Sequence, residues 1–420
     1  MLLLAACDLD LANPNAPSDE QVLSTTEGVV NLATGLFRYH STTFLEAHIV
    51  YRGTTAHELS IITTLANLIQ LEEGGTALPP ISNVAAVWSR GYRVIEMSNQ
   101  LIDNVGNVTL DEGTRSGILA LAHMLKGHAL GTIVESFEQA PLDVDASMRA
   151  EFQNRPAVLA EAVRLLEDAL QVITTTPPSN EFRTRIIGTS FDLENTIRAY
   201  LARYHLLAGD YGAAITVADN VDLETTSTFT YDDENNNPVY QQVFALNYFR
   251  PRAFFGSPIT DENDARLDFY LGPEREDPST LGQTVHELEG FFASATAPIP
   301  SYLPGEIHLI KAESYARMGD LDDAIEYIDA VRTKTPGEDP YGLGAGLPAY
   351  TGPETEEAVL EEIYRQRAAE LFLTGLRWED NRRFNRPGPL DPEPERNRNF
   401  YPYPNTERTN NPNTPPDPNV

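Results

Sequence analysis

Along most of the chain, apolar residues recur at about every third or fourth position, the spacing that lines them up on one face of an α-helix. Val29, Val30, Leu32, Ala33, Leu36 and Phe37 make one such stripe. Thr25-Thr26-Glu27-Gly28 just ahead of it supplies a hydroxyl that can accept a free backbone N–H at a helix start. Ser18-Asp19-Glu20 reads as an earlier start of the same kind. Further stripes over 84–105, 118–137 and 158–173 predict three more long helices. Two later segments repeat one another: Ala202, Gly209 and Ala214 in residues 199–215 match Ala312, Gly319 and Ala324 in residues 309–325. Small alanines let the two helices of a hairpin approach closely, and the glycine turns the chain between them, which is the tetratricopeptide pattern.

Residues 223–305 break the helical period. They hold 13 of the chain's 37 aromatic residues, together with Asp232-Asp233, the run Asn235-Asn236-Asn237 and scattered prolines and glycines. This predicts loop with short strands or short helices, in which Phe244, Phe254, Phe255, Phe291 and Phe292 supply a small local core. From 387 to 420 there are ten prolines and no apolar period. That end is expected as an extended tail, laid over the domain or loose. The resulting organisation is a helical domain over 21–386 carrying the insertion 223–305, a short polar tether over 8–20, and the tail 387–420.

Charge narrows the partners. With 62 acidic against 30 basic residues the formal charge is −32, a field that repels nucleic acid phosphates, so nucleic acid is not an expected partner. The single cysteine, Cys7, excludes an intrachain disulfide, and its position matters more than its number. Leu4-Ala5-Ala6-Cys7 fits a bacterial lipobox, whose cysteine receives acyl chains that hold a protein to a membrane without spanning it. Residues 1–7 are shorter than a working signal, which has a positive start and about 7 to 15 apolar residues, so the reading is of a truncated lipoprotein signal.

Catalytic signatures are missing. The eight histidines include no pair four apart on a helix, and neither a His-Glu-x-x-His nor a Gly-x-Ser-x-Gly motif occurs. Gly342-Leu343-Gly344-Ala345-Gly346 follows a polar run with Pro340 and opens no helix, so it reads as a surface loop and not a phosphate cradle. Paired carboxylates such as Glu72-Glu73 decide nothing among so many acids. No metal or other cofactor is called for.

The most distinctive stretch is 365–380. Read as one helix, it places Arg367, Glu370 and Arg377 near one face as an ion-paired clamp, and Leu371, Gly375 and Trp378 toward a core. This stretch resembles the C-terminal signature of the SusD/RagB family, roughly Glu-Arg-x-x-Glu-Leu-x-x-Glu-Gly-x-Arg-Trp-x-Asp-Leu-x-Arg. Arg367, Glu370, Leu371, Gly375, Arg377, Trp378, Asp380 and Arg383 match it, while Gln366, Thr374 and Asn381 depart. Residues 401–407 with Asn411-Pro412 resemble the family's closing run, and 306–332 its preceding tetratricopeptide helix pair.

The resemblance implies an all-α domain of tetratricopeptide-like hairpins with an aromatic-rich irregular insertion and a Pro-rich tail. It also implies a non-catalytic, cell-surface lipoprotein, anchored to the outer membrane through Cys7. Such a protein captures an oligosaccharide or peptide nutrient and delivers it to a SusC-type TonB-dependent transporter. Sugar sites combine aromatic faces with fixed polar groups. Tyr231, Tyr240, Tyr248, Phe249, Arg250 and Arg252, near the asparagine run, are therefore the expected ligand contacts. A tetratricopeptide scaffold for a protein partner at the cell envelope is the alternative, although tandem copies at about 34-residue spacing would then be expected. A lipid-anchored hydrolase is a third reading, which activity of the purified protein on glycans would reveal.

Overall fold

The computed structural model describes residues 23–257 and 260–420; Cys7, the 8–20 stretch and Ser18-Asp19-Glu20 lie outside the described residues. Each apolar stripe is a helix. Helix α1 (Thr26–Tyr39) starts where the Thr25 hydroxyl accepts the Gly28 N–H at 3.0 Å. After it the chain passes through two tight π-turns and the short helix α2 (Ala66–Glu73). Helices α3 (Asn83–Asn104), α4 (Glu112–Ser136) and α5 (Arg155–Thr175) follow, and α4 packs against both of its neighbours. Helix α4 is long and apolar enough to cross a membrane by composition, yet most of it is buried inside this fold, where a central helix needs the same composition.

The two repeats form matched hairpins: α6 (Leu193–Ala208) with α7 (Tyr211–Ala218), and α8 (Pro304–Met318) with α9 (Leu321–Arg332). Gly209 at φ 82° and Gly319 at φ 90° end the first helix of each. The same two backbone bonds close both turns: Gly209 to Leu206 and Asp210 to His205, Gly319 to Ala316 and Asp320 to Tyr315. Ala202, Ala214, Ala312 and Ala324 are all fully buried at the helix crossings. Because α7 packs on α8, the hairpins stack in space although 110 residues separate their sequences. Helix α10 (Glu356–Glu370) completes the stack against α8 and α9.

Between the hairpins, the insertion enters and leaves side by side, Thr228–Phe229 pairing antiparallel with Ile299–Pro300. Its strand Phe249–Pro251 pairs with Leu59–Ile61 of the N-terminal part, in the register Leu59 to Pro251 and Ile61 to Phe249. A third ribbon joins Leu271–Glu274 to His286–Leu288.

The stretch 365–380 is not one helix. Helix α10 ends at Glu370, Leu373 and Gly375 take φ of 53° and 82°, and α11 (Arg377–Arg383) starts afresh. The left-handed residues turn the chain, so Arg377 does not continue the helix face that carries Arg367 and Glu370. Of the two alternatives for the tail, it is laid over the domain. Tyr401 and Tyr403 are fully buried, and the Trp378 indole donates to the Arg398 carbonyl at 2.6 Å. The segment 342–346 also differs from a surface loop. Leu343, Gly344 and Ala345 are buried, and the Ala345 carbonyl accepts the Ala265 N–H of the insertion.

Candidate functional site

The six aromatic and arginine residues expected to touch ligand divide in two. Tyr231 is buried, its hydroxyl donating to the Ser41 carbonyl at 3.1 Å, and Phe249 is fully buried in the strand pair. Arg250 is buried as well. It donates to the Val243 and Phe249 carbonyls and to Asn247 Oδ1 at 2.6 Å, and lies 3.2 Å from Glu287. Arg252 donates to Ser60 at 2.8 Å and to the buried Glu72 carboxylate at 3.0 Å. These four are used within the fold, against the expectation of surface contacts, because Phe249 to Arg252 form and flank the strand that joins the insertion to the frame and Tyr231 bonds to the frame at Ser41.

Tyr240 and Tyr248 remain partly exposed. Tyr240 packs on Phe244 with ring centroids 5.2 Å apart, and the Arg250 guanidinium lies 5.7 Å from the centre of the same Phe244 ring. The Tyr248 carbonyl accepts the Ile62 N–H, while the Ile61 carbonyl accepts the Thr280 N–H, so the segments 61–65, 246–248 and 279–281 are neighbours. Leu65, Leu246 and Leu281 are all exposed on these segments. Phe254, expected in the local core, is instead 43% exposed with φ 53°, whereas Phe255 beside it is fully buried. The insertion thus presents an open apolar and aromatic face next to fixed polar groups, a surface suited to stacking on rings or hydrocarbon.

Beneath the insertion lies a small cavity of about 40 Å³, where Phe229, Phe291, Phe292 and residues 299–303 meet α6 and the turn 372–374. Such a space holds a few waters and no sugar ring. Its polar wall holds His48, His128, Arg203 and Glu306, with His40 standing behind His128. Nε2 of His40 and Nδ1 of His128 lie 2.9 Å apart and share one hydrogen. His48 contacts Thr132 and Arg52 through Nδ1 and the Thr374 carbonyl through Nε2 at 3.0 Å. Burial pulls the His40 pKa down to about 3 and lowers His48 and His128 as well, the nearby Arg52 and His40 charges acting in the same direction. Arg203 of α6 closes the wall with a buried two-point contact to Glu306 of α8, at 2.6 and 2.8 Å. Among the described residues no group of three or more His, Cys, Asp or Glu is arranged to hold a metal ion.

The signature residues stitch the parts together. Glu370 accepts from Arg266 of the insertion at 2.8 Å and from Lys334 at 3.1 Å, all three largely buried. Burial alone would raise the Glu370 pKa, but Lys334 and Arg266 hold it below its usual value. Arg367 pairs with Asp380 at 2.8 and 3.0 Å, and Arg377 lies 5.1 Å over the Tyr364 ring. The departures from the signature have reasons. Gln366 accepts from Arg266 and donates to Glu362, which a glutamate could not do while ionised. Asn381 accepts from Tyr364 and Arg377 and donates to the Glu395 carbonyl.

This is a stacked helical-hairpin frame carrying a one-sided aromatic insertion. Residues 294–419 match the model of the SusD family, and the chain as a whole has a SusD-like fold. A SusD superfamily protein from Bacteroides thetaiotaomicron superposes with a TM-score of 0.72 at 16% identity, covering 94% of this chain and 100% of its own. Another from Bacteroides vulgatus gives 0.71 at 16% identity, covering 95% and 98%. A SusD-like carbohydrate binding protein from Bacteroides vulgatus gives 0.65 at 17% identity, covering 86% and 83%. Among curated proteins none matches the chain's sequence. The resemblance to the SusD/RagB family read from the sequence is thereby borne out, as is the all-α hairpin architecture.

Proposed function

We propose that this protein is a surface-exposed lipoprotein without catalysis of its own that captures an oligosaccharide and passes it to a SusC-type TonB-dependent transporter in the outer membrane. The observation that carries the reading is the partly exposed tyrosine pair, Tyr240 and Tyr248, on an insertion held rigidly against a SusD-like frame. A solved protein of the same fold described as carbohydrate binding favours sugar over peptide. The charge of −32 favours neutral over acidic sugars, because a ligand carboxylate or sulfate would approach against the field. Acylation at Cys7 would supply the anchor, leaving the hairpin frame free to dock on the transporter.

Calorimetry against neutral and acidic oligosaccharides tests the binding reading: neutral chains should bind saturably, and binding should weaken in Tyr240→Ala and Tyr248→Ala. If both variants bind as tightly as the parent while changes elsewhere abolish binding, the insertion is not the site. For the anchor, the full gene product should partition with membranes and the Cys7→Ala variant should not.

A further inference from the structure

We infer that the chain has a second carbohydrate subsite, distinct from the insertion, in the cleft between α3, the 139–154 hairpin and the tail helix Asn405–Asn410. The inference rests on the reading above that the ligand is a neutral glycan. The cleft has a volume of about 310 Å³, at the lower end of the range for small-molecule sites and enough for one or two sugar rings. None of its lining residues belongs to the segment 223–305.

One wall is aromatic. Trp88 and Tyr92 sit one helical turn apart on α3 with ring centroids at 4.8 Å. Trp88 is locked by Phe137 and Phe152 at 4.9 and 5.8 Å and shows only 5% of its surface, so it presents a fixed edge. Tyr92 is held by its hydroxyl, which donates to the Pro141 carbonyl at 2.8 Å. At the rim, Met148 is 58% exposed and Val144 is exposed beside it, apolar surface that water wets at a cost and a sugar's C–H face can cover.

The other wall is polar and preset. The Asp143 carboxylate is fixed by Lys126 at 2.8 Å and Asn99 at 2.5 Å. Asp145 is fixed by Ser147 and the Arg149 N–H, and Glu407 by Asn411 at 2.9 Å. Each carboxylate keeps lone pairs free to accept hydroxyls, and Thr406 and Asn410 lie exposed on the same side. No lysine or arginine lines the cleft, which disfavours an acidic sugar. Oriented acceptors opposite a fixed aromatic wall are the combination that recognises a neutral pyranose.

The sequence offers a direct reporter, since its only two tryptophans are Trp88 and Trp378, and Trp378 is fully buried away from this cleft. Maltose, cellobiose and mannobiose would be titrated into the whole protein while tryptophan emission and heat are recorded together. At least one should change the emission saturably, and the surface double variant Thr406→Ala/Asn410→Ala should weaken that response about fivefold or more. Tyr248→Ala should leave it in place. Saturable heat with unchanged emission, and unchanged affinity in the double variant, would overturn the second subsite while leaving the insertion reading intact. Absence of heat with every neutral and acidic sugar would overturn both.

Discussion

Tyr200 and Tyr204 of the hairpin frame and Tyr240 and Tyr248 of the insertion are the same residue type in two environments. The frame pair is wholly buried, Tyr204 donating to the His128 carbonyl at 3.2 Å and Tyr200 stacking on His128 at 4.6 Å. The insertion pair keeps part of each ring in water. The difference lies in the number of covered faces. A helix in the stack has neighbours on two sides, so its rings are enclosed; the insertion meets the frame on one side only, so its outward rings are only partly covered. Aromatic content therefore marks a binding surface only where the element bearing it is covered on one face.

If the insertion is held by its joints, cutting one should cost stability and ligand affinity together. The largest effect is expected for Glu370→Ala, which leaves Arg266 and Lys334 buried with one partner fewer. Breaking a buried pair from one side costs about 3–5 kcal/mol. Thermal unfolding should drop markedly, and protease cleavage should appear within 223–305 before it appears in the hairpins. Cleavage spread evenly over the chain would mean that the joint does not hold the insertion in particular.

Acid should separate the regions next. His40, near 3 in the folded state against 6.5 ordinarily, and the similarly lowered His48 and His128, bind fewer protons folded than unfolded. Their contribution is therefore fully present above pH 6.5 and is lost as pH falls from there toward 3. The melting temperature should decline through that window, and His40→Gln should flatten the decline. An identical slope in that variant would place the acid sensitivity elsewhere.

How much of this was legible in the sequence follows the same division. Helical stripes and the paired repeats could be read because a helix declares its buried face locally, by spacing, and the glycine turns declare their φ by residue type. The end of α10 could not: Leu371 to Leu376 keep an apolar pattern, and only the left-handed Leu373 and Gly375 reveal the break. Nor could the fate of Tyr231 and Phe249, whose burial depends on Ser41 and Ile61, some 190 positions away. The histidine wall was missed for that reason too, since His40 and His128 meet only through the packing of the helices around α4. What could have been noticed is that Arg250 and Arg252 flank a proline in an alternating stretch, the pattern of an edge strand with one face inside.

A smaller effect tests the frame alone. Gly209 and Gly319 have open space where a Cβ would stand, so an alanine at either meets no clash and suffers only the left-handed backbone, about 1–2 kcal/mol. Gly209→Ala and Gly319→Ala should each lower thermal stability by that amount, roughly additively because the turns are separate. Affinity for ligand should not change. A loss of affinity in either would show that the hairpin ends, and not only the insertion, shape the site.

Within the insertion, the smaller stability change is expected where the larger binding change should fall. Tyr240 and Tyr248 are only partly exposed, Tyr240 packing on Phe244 and Tyr248 against the core, so truncating either loses some packing but less than truncating a fully enclosed ring. A ring that stacks on ligand is worth about 0.5–1.5 kcal/mol beyond its area. Tyr240→Ala and Tyr248→Ala should therefore weaken oligosaccharide binding roughly two- to tenfold, with a smaller drop in melting temperature than Tyr231→Ala causes. Tyr231→Ala, from the same segment but buried against Ser41, should do the opposite and cost stability first. Calorimetry with circular dichroism on the three variants decides whether exposure, and not membership of the insertion, makes an aromatic a ligand contact. Should Tyr231→Ala lose binding while remaining as stable as the parent, the division between covered and uncovered rings is wrong.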